Sequence, residues 1–315
     1  MGGTTHRNTA NTLERPVLFG GAISYNLSAG FCLPITNYLR VAGYNLGECF
    51  VEKIKVLVNG ALGKMGISMS AVIAQEPDME LTAVCDIRHA GENYGYLICN
   101  RGIDIKIHDN LQQAMIDSKP DVMLDLTNPQ SVKGNIDTAL SFGVACVVGT
   151  TGLSESDKKD IAAKCRESGI PVFLASNFSL GAVLMMRFAA EAANYFPHVE
   201  IIERHHDQKL DAPSGTAVDT MKMISRNREI FAQGAPCEEE KIKSSRGGEY
   251  EGMRVHSVRL PGYMASQEVV FGSTGQLLTI RHDAMSREAF VPGVLLSIRK
   301  VLKLAGLVSG LEELL

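Results

Sequence analysis

The segment Glu203-Arg204-His205-His206-Asp207-Gln208-Lys209 sets two adjacent imidazoles and an ammonium in one short stretch, and Pro213-Ser214-Gly215-Thr216 follows closely. Ala217, Met221 and Ile224 recur at helical spacing, so Pro213 and Ser214 are expected to start a helix. The N–H groups of Gly215 and Thr216 would then point out of its first turn, where they can hold a carboxylate together with the Ser214 side of the turn. Lys209 and one histidine supply positive charge and transferable protons beside that helix start. Such a set suits hydride addition to a conjugated or imine substrate, which leaves negative charge that must be protonated. A positioned acid typically contributes about 10²–10⁴-fold to that step. Adjacent strand residues face opposite ways, so only one of His205 and His206 is expected to face the reacting atom. No third ligand recurs at helical or turn spacing, which makes a metal site the weaker reading.

A second constellation lies far upstream. Asn59-Gly60-Ala61-Leu62-Gly63-Lys64-Met65-Gly66 follows an apolar run, Ile54 to Val58, and opens a segment in which Met65, Met69, Val72 and Ile73 form one apolar stripe. Strand, glycine loop and amphipathic helix thus arrive in the order that a dinucleotide site requires, with the pyrophosphate on the N–H groups of the helix start. Asp86, at the end of the next strand, can accept both hydroxyls of the adenosine ribose and would repel a 2′-phosphate. Ile87 and Arg88 follow, so the sequence leans towards NADH and leaves NADPH open. Two further strand ends, Gly149-Thr150-Thr151-Gly152 and Ala175-Ser176-Asn177-Phe178, are expected to line the nicotinamide half.

The elements that must position these residues read as α/β. Apolar runs at Ile54 to Val58, Leu81 to Cys85, Val122 to Leu126, Val144 to Val148 and Val172 to Ala175 alternate with helical stretches. That pattern predicts a Rossmann-like, doubly wound parallel sheet covered on both faces. After Asn177 the pattern changes. A helix over Ala182 to Ala193 leads into strands at Val199 to His206, Val255 to Leu260, Glu268 to Phe271 and Leu277 to His282, joined by polar loops. Few helices separate them, which predicts a smaller α+β domain with an open mixed sheet, exposed or covered by a partner. The expected division is an extension over 1–50, a dinucleotide domain over 51–177, a substrate domain over 178–286, and a returning helix, Gly293 to Ala305, within 287–315.

With 315 residues and a formal net charge of −4, the chain has no large basic field, which argues against nucleic acid or an anionic membrane as main partner. Seven cysteines without a C-x-x-C pair, most of them in apolar runs, read as buried thiols of a reducing, cytoplasmic compartment. Pro16 to Ile35 contains Asn26 and Ser28 and matches neither a membrane helix nor a secretory signal. Residues 1–50 lack periodicity, and the natural chain is expected to begin near Val51.

From Ile54 to Val301 the chain resembles the 4-hydroxy-tetrahydrodipicolinate reductase (dihydrodipicolinate reductase) family of lysine and diaminopimelate biosynthesis. The resemblance rests on the Gly60 to Gly66 loop, the Gly149 to Gly152 turn, Asn177-Phe-Ser-Leu-Gly181, the Glu203 to Ala217 segment, and the run from Gly247 through His256 to Gly262. It implies that Gly60, Ala61, Leu62, Gly63, Lys64 and Met65 hold the pyrophosphate, Asp86 the ribose, and Gly149 to Thr151 with Ala175 to Phe178 the nicotinamide. It makes His205 the acid/base residue, Lys209 the proton donor, and His206, Gly215 and Thr216 contacts to a small dicarboxylate. It also implies a homotetramer joined through the substrate-domain sheets. The chain departs from the family in residues 1–50, in Ile87 where some members have a basic residue, and in Ser266 where histidine is common. A nicotinamide reductase of another carboxylate, or a dinucleotide sensor without turnover, is the rival reading; the proton donors argue against the sensor.

Overall fold

The structure, a computed structural model, describes residues 52–230 and 232–315. The expectations for residues 1–50, and for Cys32 and Cys49 within them, lie outside the described residues.

Seven parallel strands form the first sheet: β1 (Ile54–Asn59), β2 (Met79–Cys85), β3 (Ile107–His108), β4 (Val122–Asp125), β5 (Ala145–Val148), β6 (Val172–Leu174) and β12 (Leu307–Ser309). Their order is β12-β6-β5-β4-β1-β2-β3. Every residue of β4 and β5 is buried, as strands covered on both faces must be. Alternate residues serve the two sides. Val56, Val58, Leu124 and Val147 join one core, whereas Leu57, Met123, Cys146 and Val148 join the other. The first core receives α1 (Lys64–Ile73) through Met69 and Ile73, and α8 (Val291–Val301) through Val294, Ile298 and Val301. The second receives α3 (Leu111–Ser118), α4 (Val132–Ser141) and α5 (Glu155–Ser168), and the one-turn α2 (Tyr94–Leu97) lies between β2 and β3 in the chain.

Chain order reverses between β1 and β4, so a crevice opens beyond the carboxyl ends of those two strands. Their last residues, Asn59 and Asp125, are register partners there.

The second sheet is five-stranded and mixed, in the order β11-β10-β7-β9-β8, with ranges β7 (His198–His205), β8 (Gly248–Tyr250), β9 (Met253–Arg259), β10 (Ala265–Ser273) and β11 (Gln276–Ala284). Among the described residues, only its β7–β9 pair is parallel. Val199, Ile201, Val255, Val269 and Phe271 point to one face and share a core with α6 (Leu180–Ala192) and α7 (Gly215–Ser225). The expected doubly wound parallel sheet and smaller open mixed sheet are both present.

Three details differ from expectation. The terminal helix stops at Val301, and the chain then adds β12 to the edge of the parallel sheet beside β6. β3 and β12 are two and three residues long, too short to leave a period in the sequence. Among the described cysteines, Cys85, Cys146 and Cys165 are buried, but Cys99 and Cys237 are exposed because they sit in loops.

Candidate active site

His205 closes β7, and its backbone is paired on both sides: Ala265 of β10 is its register partner, and Leu260 N–H donates to its carbonyl at 3.1 Å. Its ring is fixed by a residue that sequence reasoning passed over. The fully buried Glu203 accepts the Nδ1–H of His205 at 2.5 Å. Arg259, at the end of β9, grips the same carboxylate with two nitrogens, Nη1 at 2.9 Å and Nη2 at 2.7 Å. The Ser214 N–H adds a fourth donor at 3.3 Å. Burial alone would raise the Glu203 pKa, but the hydrogen bonds from His205, Arg259 and Ser257 outweigh it and bring the carboxyl down to about 2. Glu203 is therefore an acceptor only, Nδ1 of His205 must carry a proton, and Nε2 is the ring atom left for exchange.

Ser214 caps α7, its Oγ accepting from Ala217 N–H at 3.3 Å. Ala217, Met221 and Ile224 are buried, as their spacing predicted. Gly215 is exposed at the first turn, and an added Cβ would meet nothing there. Thr216 accepts a bond from Asn177 Nδ2 at 3.2 Å, which ties the helix start to the loop after β6.

The glycine loop is built for close backbone approach. Gly60 has φ +83°, and a Cβ on it would lie 2.6 Å from the Leu126 carbonyl oxygen. Gly66 would drive a Cβ into the Gly60 carbonyl. No side chain among the described residues caps α1, so N–H groups of its first turn stay available to an anion. These features fit a pyrophosphate. Asp86 accepts from Leu62 N–H at 2.9 Å, which fixes the loop against β2. Its carboxylate also meets Arg88 through Nε at 3.0 Å and Nη2 at 3.2 Å. Burial works against ionisation of Asp86, yet the Arg88 and Leu62 bonds prevail and hold it below the usual carboxylate range. A cavity of about 340 Å³ runs past Gly60, Gly63, Asp86 and Arg88.

A second cavity, about 300 Å³, opens where the two sheets approach. Its wall brings together Met65, Gly149, Ala175 to Phe178, His205, Ser214 and Thr216. Phe178 is seated by glycines: a Cβ on Gly149 would come within 2.6 Å of its ring, and one on Gly293 would strike its carbonyl oxygen. Gln267 and His282, neighbours across the inner face of β10 and β11, complete the wall and had no signal in the sequence. A wider adjoining cleft of about 530 Å³ meets Thr150, Thr151, Ala175 and Ser176, with Lys158, Lys222 and Arg226 on its rim. His206, Lys209 and Gly215 do not line either space. His206 is exposed, and Lys209 donates to Asp211 at 2.7 Å.

The family model for the dihydrodipicolinate reductase N-terminus matches residues 54–178, and that for its C-terminus matches 181–315. The chain belongs to the dihydrodipicolinate reductase family. Relatives of this family include the 4-hydroxy-tetrahydrodipicolinate reductase of Desulfitobacterium hafniense, 52% identical over 266 residues, which are 84% of this chain and 100% of the relative. The enzyme of the same name from Syntrophomonas wolfei is 49% identical over 264 residues, 84% of this chain and 99% of the relative. Among solved structures, a dipicolinate-bound dihydrodipicolinate reductase from Paenisporosarcina sp. TG-14 superposes with a TM-score of 0.74 at 42% identity, covering 84% of this chain and 100% of the other. An amine dehydrogenase from Mycobacterium smegmatis, at 12% identity and TM-score 0.58 over 81% of this chain and 94% of the other, shares the fold alone.

Proposed function

We propose that this chain reduces 4-hydroxy-tetrahydrodipicolinate to tetrahydrodipicolinate with NADH or NADPH, a step of lysine and diaminopimelate biosynthesis. The observation that carries the reading is the meeting of Met65, Gly149 and Phe178 with His205, Ser214 and Thr216 on one cavity. Dinucleotide-side and substrate-side residues thus reach the same space. Membership of the reductase family supports it.

In this reading residues 51–177 hold the dinucleotide, 178–286 the substrate, and 287–315 return to the first sheet. The pyrophosphate lies on Gly60, Ala61, Leu62, Gly63, Lys64 and Met65, the adenosine ribose on Asp86, and the nicotinamide beside Gly149, Thr150, Thr151 and Ala175 to Phe178. The bound dinucleotide supplies the hydride. One substrate carboxylate sits on the N–H groups of Gly215 and Thr216, capped by Ser214, with His206 nearby. Proton traffic falls to His205 at Nε2 and to Lys209. Glu203 keeps the ring in one orientation and stabilises its cationic form, while Arg259 neutralises the pair. Lys209 must leave Asp211 to act, and an incoming dianion offers it a better partner than one exposed carboxylate.

Asp86 favours NADH, and Arg88 permits NADPH once it turns away from Asp86. A homotetramer joined through the substrate-domain sheets and a cytoplasmic location belong to the same reading; no helix among the described residues is long and apolar enough to cross a membrane. A coupled assay, with substrate made in place from pyruvate and aspartate semialdehyde, should show substrate-dependent loss of reduced-cofactor absorbance. Loss of absorbance only with some other carboxylate would transfer the site to a different reductase, and no loss with any would leave a sensor.

A further inference from the structure

Asp125 is the last residue of β4, at the point where strand order reverses, and it is fully buried. Among the described residues its carboxylate has only neutral donors: Asn59 Nδ2 at 3.1 Å, Asn135 Nδ2 at 2.8 Å, Thr127 N at 3.2 Å, Thr127 Oγ1 at 2.8 Å and Thr150 Oγ1 at 2.6 Å. One carboxylate therefore joins the residue that precedes the glycine loop to the threonine of the Gly149 to Gly152 turn. A threonine hydroxyl has a single proton to donate, and here it is donated to the buried carboxylate. What Thr150 retains is acceptor capacity, on a residue that lines the cleft beside Thr151, Ala175 and Ser176.

We propose that Asp125 is a positioning residue for the cofactor, which sets Thr150 as an acceptor for the N–H of the nicotinamide carboxamide. The inference rests on the dinucleotide reading above and adds a polarity to it. A ligand group with an N–H is welcomed at Thr150, and one presenting only a carbonyl is not, because two acceptors would then face each other. Asp125 acts through Thr150 and touches no ligand.

The test compares dissociation constants, by fluorescence titration, for NADH and for the reduced 3-acetylpyridine analogue, whose methyl ketone has no N–H. The wild-type chain should favour NADH by roughly threefold to tenfold, the effect of one neutral hydrogen bond. In Thr150→Val and in Asp125→Asn the preference should fall towards unity, and the double variant should be no flatter than Thr150→Val alone. Loss of a purely structural tie would weaken both ligands alike and leave their ratio intact, and that result in either variant overturns the proposal. Thr150→Val decides the matter if Asp125→Asn does not fold. A wild-type chain that binds neither dinucleotide overturns the cofactor reading itself, and this proposal with it.

Discussion

Glu203 and His205, two residues apart on β7 and facing the same side of the sheet, form a 2.5 Å carboxylate–imidazole bond whose acceptor is fully buried. The pair holds the ring at the cavity wall with Nδ1 engaged, and Arg259 balances the charge. Glu203→Gln keeps the shape and removes the anion. Turnover should fall about 10–10²-fold with NADH binding nearly unchanged. Unaltered turnover in a folded variant would remove Glu203 from the proton chemistry.

The same carboxylate predicts acid lability. The Glu203 pKa is depressed from 4.5 to about 2 in the folded chain. Its contribution is complete above the unfolded value, and it is lost as pH falls from 4.5 towards 2, because the unfolded state takes up the proton first. Urea denaturation at pH 7, 4 and 3 should show wild-type stability dropping over that interval, with a shallower drop in Glu203→Gln. Equal slopes for the two would place the acid-sensitive group elsewhere.

Lys209 is held by Asp211 and lines neither space. If it serves as the proton donor, Lys209→Ala should lower turnover at least about 10²-fold and leave NADH affinity nearly intact. Asp211→Asn releases the ammonium and should leave turnover within about threefold, since an exposed ion pair is worth little. Full turnover in Lys209→Ala would assign the donor role to another residue.

Asp86 and Arg88 neutralise each other beside the adenosine end of the crevice. Asp86→Ser removes a charged acceptor for the ribose and frees the guanidinium for a 2′-phosphate. The NADPH to NADH ratio of kcat/KM should rise about tenfold or more, the magnitude of one charge-assisted hydrogen bond. A ratio that stays fixed would mean that neither side chain reads the 2′ position.

Local pattern made much of the molecule legible. Buried strands announced themselves as short apolar runs, and the Gly60 to Gly66 loop was readable because a glycine pattern between strand and helix has few other uses. Ser214 as helix cap and Ala217, Met221 and Ile224 as the buried stripe likewise follow from spacing alone. His205 closes β7 and lines the cavity, whereas His206 falls just past the end of the strand, is exposed and does not, so the strand's end and not its alternation separates the adjacent histidines.

What the sequence determined by itself was therefore the order of elements and the types of residue at their ends, since both depend on neighbours within one turn or one pleat. Only the tertiary structure decided who meets whom across long separations. Arg259 reaches Glu203 from a strand 56 residues later, and Asp125 reaches Asn59 from 66 residues away. Gly149 and Gly293 leave room for Phe178 from before and after it in the chain. A buried charge must find donors in whatever strand happens to pack beside it, and that pairing is set by sheet register, which no local period encodes.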